Sequence, residues 1–79
     1  MPDQYYGAYS AKVDMHLIVH GTTLSITHMG GDFLILKSSI DHPPTEATIV
    51  LKIDESERRW TVRLLEGLRG GQERISVSK

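Results

Sequence analysis

The chain contains no cysteine, no charge imbalance and no long apolar run, and each absence excludes a class of protein. Without cysteine, its 79 residues cannot be joined by disulfides or form a thiolate metal site. Nine basic and ten acidic residues leave a formal charge of −1, which creates no overall field for nucleic acid or an anionic bilayer. The longest apolar runs, residues 17–19 and 33–36, are far shorter than the roughly 20 residues of a transmembrane helix. We therefore expect neither a nucleic-acid partner nor a membrane.

The N-terminal segment also lacks the basic stretch followed by an apolar one that marks a signal peptide, so a cytoplasmic location is the default expectation. Residues 1–11 show no usable period and are predicted to form a flexible tail. Tyr5, Tyr6 and Tyr9 give this tail an unusual aromatic content. Residues 12–79 are predicted to form a single all-β domain with a small core, since a chain of this length buries only about 60 to 65% of its unfolded surface.

Apolar residues at every second position predict strands through most of this domain. The predicted elements are strands over residues 13–19, 23–29 and 33–37, a hairpin over residues 46–66 around the polar segment 54–57, and a last strand over residues 74–78. Gly21-Thr22 predicts a type II′ turn between the first two strands, which sets His20 opposite Thr23. The segment 33–37 has no polar alternate, which is typical of a strand covered on both faces or crossing a strongly bent sheet.

No segment has the apolar spacing of a helix over ten or more residues, so we predict an all-β fold. Six short strands with short turns indicate a small six-stranded antiparallel barrel or sandwich, and a barrel is preferred because closure removes exposed edges. The predicted core residues are those on the apolar side of each alternation: Val13, Met15, Leu17, Val19, Leu24, Ile26, Phe33, Ile35, Ile49, Leu51, Ile53, Trp60, Val62, Leu64, Ile75 and Val77.

Four histidines raise the question of a metal site. His16 and His20 are four positions apart on one strand, hence about 13 Å apart at roughly 3.3 Å per residue, which one ion cannot bridge. The predicted hairpin register places His16 and His28 on opposite faces. We therefore predict no metal site.

Catalytic motifs are equally absent from the sequence. There is no cysteine nucleophile, and no serine lies in a Gly-x-Ser-x-Gly elbow. Asp32 follows a double glycine, but turn chemistry explains that setting. Gly30-Gly31 and Gly70-Gly71 lack the flanking residues of a phosphate-binding loop. We predict that the protein is not an enzyme and needs no cofactor.

The arginines of the C-terminal third are the clearest functional signal. Arg59 and Arg63 share the strand face opposite Trp60, and with Arg74 they form a candidate anion-binding site, because the planar guanidinium suits phosphate and carboxylate groups. Acidic residues in the same region can instead neutralise them across strands, which would make this an ordinary solvated charge face. Both interpretations stay open.

Two resemblances bear on the function. The segments Gly30-Gly31-Asp32-Phe33-Leu34-Ile35-Leu36, Pro43-Pro44-x-x-Ala47-x-Ile49-x-Leu51-x-Ile53-Asp54 and Arg59-Trp60-x-Val62-x-Leu64-x-x-Gly67 resemble a group of small bacterial proteins without an assigned activity. The chain is also faintly similar to PilZ domains, six-stranded barrels that bind cyclic di-GMP through an Arg-x-x-x-Arg segment ahead of the first strand and an Asp/Asn-x-Ser-x-x-Gly motif. Ser25-x-Thr27-x-x-Gly30 keeps only the spacing of that second motif, and no arginine precedes Val13.

Together these observations predict a non-catalytic binding or protein-interaction module whose partner is another protein. The alternative is a PilZ-like barrel that binds an anion or nucleotide through Arg59, Arg63 and Arg74. A homodimer formed through an edge strand or the tyrosine-rich tail is also compatible with the sequence.

Overall fold

A computed structural model describes residues 13–78, which form a closed antiparallel barrel. Its strands are β1 (Val13–Val19), β2 (Thr22–Met29), β3 (Phe33–Leu36), β4 (Thr45–Ile53), β5 (Ser56–Leu64) and β6 (Arg74–Ser78). Their order around the barrel is β1-β2-β3-β6-β5-β4, which confirms the predicted six-stranded antiparallel fold. The described residues include no helix that could cross a membrane. The predicted tail over residues 1–11, with its three tyrosines, lies outside the described part.

The barrel interior is filled by side chains that point inward from every strand. Half-buried Met15 and Trp60 pack against this core. Burial of aliphatic side chains is the main source of stability here, at about 25 cal/mol per Å² of apolar surface. The buried core residues are Leu17, Val19, Leu24, Ile26, Leu34, Leu36, Ala47, Ile49, Val62, Leu64, Leu68, Ile75 and Val77.

The side chains of strand β3 that face the interior are not the pair predicted from the sequence. The prediction of Phe33 and Ile35 as core was wrong: both are half-buried on the outer face, while Leu34 and Leu36 are buried inside. A run of consecutive apolar residues has no alternation, so its inward pair cannot be recognised from the sequence. The Phe33 ring instead contacts the Arg74 guanidinium, 4.4 Å from the ring centroid.

Val13 and Ile53 were also predicted in the core, and this was wrong, because they are 49% and 41% exposed. They lie opposite each other in the β1–β4 ladder, at the end where β1 begins and β4 ends. Their alternation with buried residues such as Leu17 places them on the inner face, but no other strand of the described residues covers that end. Leu51, in the same row of β4, is half-buried for the same reason.

The β1–β2 turn differs from the predicted type II′ turn at Gly21-Thr22. Val19 pairs with Thr22, so His20 and Gly21 are the two central residues, with φ angles of 46° and 83°. Positive φ at both positions is the pattern of a type I′ turn, which matches the twist of the flanking strands. Histidine is one of the few residues other than glycine that is enriched in this left-handed conformation. The prediction failed because glycine occupies the second central position rather than the first.

A β-bulge at Thr27 interrupts the β2–β3 ladder. Ile26 pairs with Leu36, but His28 pairs with Ile35, so one extra residue lies on the β2 side. The Thr27 hydroxyl donates a hydrogen bond to the Ile35 carbonyl oxygen at 3.1 Å. The extra residue reverses the faces beyond it, so His28 pairs with a residue of the outer face. The predicted placement of His16 and His28 on opposite faces was therefore wrong, since it assumed another turn and an unbroken strand: His16 precedes inward-facing Leu17, so both histidines lie on the outer face.

Three strands extend beyond the rest of the barrel at one end. β1 pairs with β4 from Val13 onward, but with β2 only from His16 onward. β5 pairs with β4 along its whole length, but its register with β6 includes only Arg63 and Leu64. Residues 13–15, 51–53 and 56–60 therefore form a three-stranded extension, which we call the open end.

The opposite side of the barrel is held by a tight contact between two loops. His42 and Leu68 exchange backbone hydrogen bonds of 3.0 and 2.7 Å, and Asp41 Oδ1 accepts a 2.8 Å hydrogen bond from the Gly70 amide. Gly67 lies in this contact with a φ of 70°, and a Cβ atom added there would collide with the His42 carbonyl oxygen.

Gly67→Ala should therefore lower the free energy of unfolding by at least about 2 kcal/mol, since it combines left-handed backbone strain with a backbone collision. Gly31→Ala is the matched control, because Gly31 has no positive φ and its added Cβ would meet no atom within 4 Å. Urea unfolding followed by Trp60 fluorescence measures both. Equal midpoints for the two variants would contradict this account of the loop contact.

Candidate functional site

An apolar surface covers the inner side of the open end. Its residues all lie on the inward-facing side of their strands. Met15, for example, pairs with Leu51 across the β1–β4 ladder. All are exposed or half-buried, so this part of the inner face meets solvent rather than another layer of the barrel. We call it the apolar face, and it consists of Val13, Met15, Leu51, Ile53 and Trp60.

Arg58 is a charged residue on the same side of β5. It alternates with Ser56 and Trp60 and lies opposite Leu51 in the β4–β5 ladder. Its side chain is exposed, and it makes no ion pair or side-chain hydrogen bond with other residues of the 13–78 segment. Arg58 was not predicted as a site residue. Its spacing of two positions from Trp60, which places both side chains on one face of the strand, was the signal that could have identified it.

Two shallow cavities lie around Arg58. One, of about 310 Å³, is lined by Leu51, Ile53, Ser56 and Arg58. The other, of about 380 Å³, shares Leu51 and Arg58 and extends past Trp60 to Thr61. Among residues 13–78, neither cavity is lined by a carboxylate or an imidazole. Their chemistry is therefore that of an apolar surface with one cation.

A third cavity, of about 220 Å³, lies at the seam where β5 separates from β6 and approaches the β2–β3 turn. Leu34, Ile49 and Val62 line it from the core, and Met29 and Trp60 line it nearer the solvent. Met29 lies there because it pairs with inward-facing Leu34 beyond the Thr27 bulge. This cavity can take an aliphatic side chain, since a dry cavity of about 150 Å³ binds benzene.

The three arginines of the predicted anion site each have a separate partner. Arg59 donates from Nε to Glu57 Oε2 at 2.7 Å, and Arg63 lies 3.6 Å from a Glu46 carboxylate oxygen. Arg74 lies over the Phe33 ring, on the outer face of β6. None of the three shares a partner with another. An anion site at Arg59, Arg63 and Arg74 stays a prediction.

The Glu57–Arg59 pair changes the titration of the carboxylate. The hydrogen bond from Arg59 lowers the pKa of Glu57 from its ordinary value; desolvation opposes this less strongly, and the positive charges of Arg59 and Lys52 make smaller contributions that lower it. The Glu57 side chain is 39% exposed, so the pair is an ordinary surface interaction.

The histidines do not assemble a metal site within residues 13–78, where no three His, Cys, Asp or Glu side chains come together. Two of them form a contact that the sequence did not reveal: the His20 and His42 rings stack with centroids 4.8 Å apart. His20 Nε2 is 3.0 Å from Thr45 Oγ1, and His42 Nδ1 donates to the Pro43 carbonyl oxygen at 2.8 Å. This pair joins the β1–β2 turn to the start of β4.

No protein-family model, curated protein or solved structure matches this chain. The open end is therefore the feature from which a function can be inferred.

Arg59→Ala should return the pKa of Glu57 towards 4.5, since the hydrogen bond that lowers it is removed. In the wild type, the lowered pKa stabilises the folded state at pH values above the unfolded pKa of Glu57, and this stabilisation disappears as the pH falls through the folded pKa. NMR titration of the Glu57 side-chain carbonyl measures the shift. Arg63→Ala is the control and should leave Glu57 unchanged; an unaltered titration in Arg59→Ala would contradict the assigned cause.

Proposed function

We propose that this protein is a non-catalytic module that binds another protein through its open end. The observation that carries the proposal is the exposed apolar face, in which Val13 and Ile53 are 49% and 41% exposed and adjoin half-buried Leu51 and Trp60. Contiguous apolar surface of this kind marks interaction sites in soluble proteins, because leaving it in water is unfavourable. The face includes Trp60 and adjoins Arg58, and tryptophan and arginine are enriched in binding hot spots.

The lining of the cavities also supports binding rather than catalysis. General acid–base chemistry needs a titratable group within hydrogen-bond reach of the reacting atom. Around Arg58 the described residues offer a hydroxyl from Ser56 and apolar atoms from Leu51 and Ile53, with no group of that kind among them. Such a surface is suited to binding and orienting a partner.

Anion or nucleotide binding in a PilZ-like manner is the second candidate. Its support is the exposure of Arg59 and Arg63, whose side chains are 58% and 62% exposed on one face of β5. An NMR titration with cyclic di-GMP tests it: amide shifts clustered on these two residues and Arg74, weakening steeply with added salt, would favour this candidate. An unchanged spectrum would reject it.

Ile53→Ser tests the interaction module. Peptides selected from a displayed random library on the wild-type protein should bind this variant about tenfold more weakly, because burial of an isoleucine side chain is lost. Leu65→Ser is the matched control, since Leu65 is also exposed, at 49%, but lies outside the apolar face. Failure to select any peptide, or equal losses in both variants, would contradict the proposal.

A further inference from the structure

One edge of β5 is unpaired along most of the strand. On one side, β5 pairs with β4 from Ser56 to Leu64. On the other side, its register with β6 includes only Arg63 and Leu64, so residues 56–61 have no strand partner there within the described part of the chain. An unpaired edge presents backbone donors and acceptors to any chain that can extend alongside it.

The hairpin turn determines which backbone groups point to this free edge. Asp54 and Glu55 form a two-residue turn, so Ile53 and Ser56 are the hydrogen-bonded pair that closes the hairpin. Hydrogen-bonded and non-hydrogen-bonded pairs alternate along an antiparallel ladder. The N–H and C=O groups of Glu57, Arg59 and Thr61 therefore point away from β4, towards the free edge.

We infer that the partner is an extended, acidic segment of another protein that adds to this edge as an antiparallel strand. The inference rests on the proposed function and specifies its partner. The free backbone positions of β5 supply the hydrogen bonds, and the apolar face and Arg58 supply the specificity. Addition of a strand to an exposed edge is a general mode of peptide recognition, in which alternate side chains enter adjoining pockets.

The register defines the sequence that the site accepts. Peptide residues opposite Arg58 and Trp60 share the inner face, so a carboxylate meets the unpaired guanidinium and an apolar side chain covers the indole ring. The peptide ends opposite Thr61, because β5 pairs with β6 from Arg63 onward. Because an antiparallel peptide runs opposite to β5, the pattern from its N-terminus is apolar-x-acidic.

Charge favours this partner over a second copy of the chain. A two-fold β5–β5 pairing that uses the free backbone groups overlaps most when it is centred on Arg58 or on Arg59. Each of these registers places an arginine directly opposite its own copy, and like charges in that position are destabilising. In the register centred on Arg58, Glu57 faces Arg59 of the other copy, but neither register brings a carboxylate opposite Arg58. An acidic peptide instead neutralises Arg58, the cation on this face that has no partner among residues 13–78.

A defined peptide tests the inference on the full chain. The probe is a fluorescein-labelled, end-capped peptide of sequence Thr-Leu-Thr-Glu-Thr, which spans the positions opposite Thr61 to Glu57, with a second peptide in which lysine replaces the glutamate. We expect the glutamate peptide to bind about tenfold more tightly, because the lysine faces Arg58 as a like charge. Arg58→Glu, an exposed position, should reverse this preference. A preference that Arg58→Glu leaves unchanged would overturn the register.

Arg59→Pro tests the use of the backbone edge. Proline at this position removes an N–H that points to the free edge and leaves the β4 ladder intact, so the barrel should still form. Arg59→Ala is the matched control, because it removes the same ion pair and keeps the N–H. We expect about tenfold weaker peptide binding for the proline variant than for the alanine variant, the difference reflecting lost backbone hydrogen bonds. Equal binding would overturn strand addition.

Hydrogen exchange on the wild-type protein provides an independent measurement that needs no variant. Peptide binding should slow exchange of the Glu57, Arg59 and Thr61 amides. If library peptides depend on Ile53 but leave these amides unprotected, strand addition is wrong and the interaction module stands. If no peptide binds at millimolar concentration, both are wrong. Light scattering tests for a dimer of the protein. A dimer that dissociates in Arg59→Pro would show that a second copy occupies the edge, and would overturn the inference of an acidic partner.

Discussion

The β-bulge at Thr27 is the feature on which the open end depends. Up to Ser25, β2 pairs with β1; from Ile26 it pairs with β3 instead, and the bulge lies at this change of neighbour. A bulge bends its strand and increases the local twist, so β2 turns away and leaves the first residues of β1 paired with β4 alone. The same extra residue brings Met29 to the seam cavity. A continuous β2 would cover the inner face of β1 and leave much less apolar surface in solvent.

The apolar face and the free edge of β5 are two results of one mismatch in strand length. The β4–β5 hairpin is longer than the strands that flank it, so within residues 13–78 its far end has neither a layer over its inner side nor a neighbour beside Glu57 and Arg59. Charged side chains at these two outward positions keep such an edge soluble, as is common for exposed edge strands. Arg58, between them, faces the other way and meets the apolar side. Alternation along β5 thus separates the charged outward side chains from those that adjoin the apolar face.

The sequence was sufficient for the fold class, because alternation in β1, β4 and β5 distinguishes an inner face from an outer one. It could not assign the inward side of β3, where Phe33 and Leu34 are equally apolar, nor detect the bulge at Thr27, which no glycine marks. The candidate site was predictable only in part. The alternation of side chains along β4 and β5 places Ile53 and Arg58 on the same side as Trp60. Their exposure depends on how far β2 and β6 extend, which is a tertiary property that the local pattern does not encode.

The connectivity of the barrel has a consequence for the order of folding. Closing the barrel joins Val13 to Ile53 and Phe33 to Ser76, and such distant pairs form slowly because the loop entropy is lost before the contacts stabilise the chain. The β4–β5 hairpin has a two-residue turn and needs no distant partner, and hairpins form within about 1–10 μs. We therefore expect the hairpin to be the nucleus, so that substitutions at Trp60 slow folding while those in β6 mainly accelerate unfolding. The proposed binding surface would then be the first part of the molecule to fold.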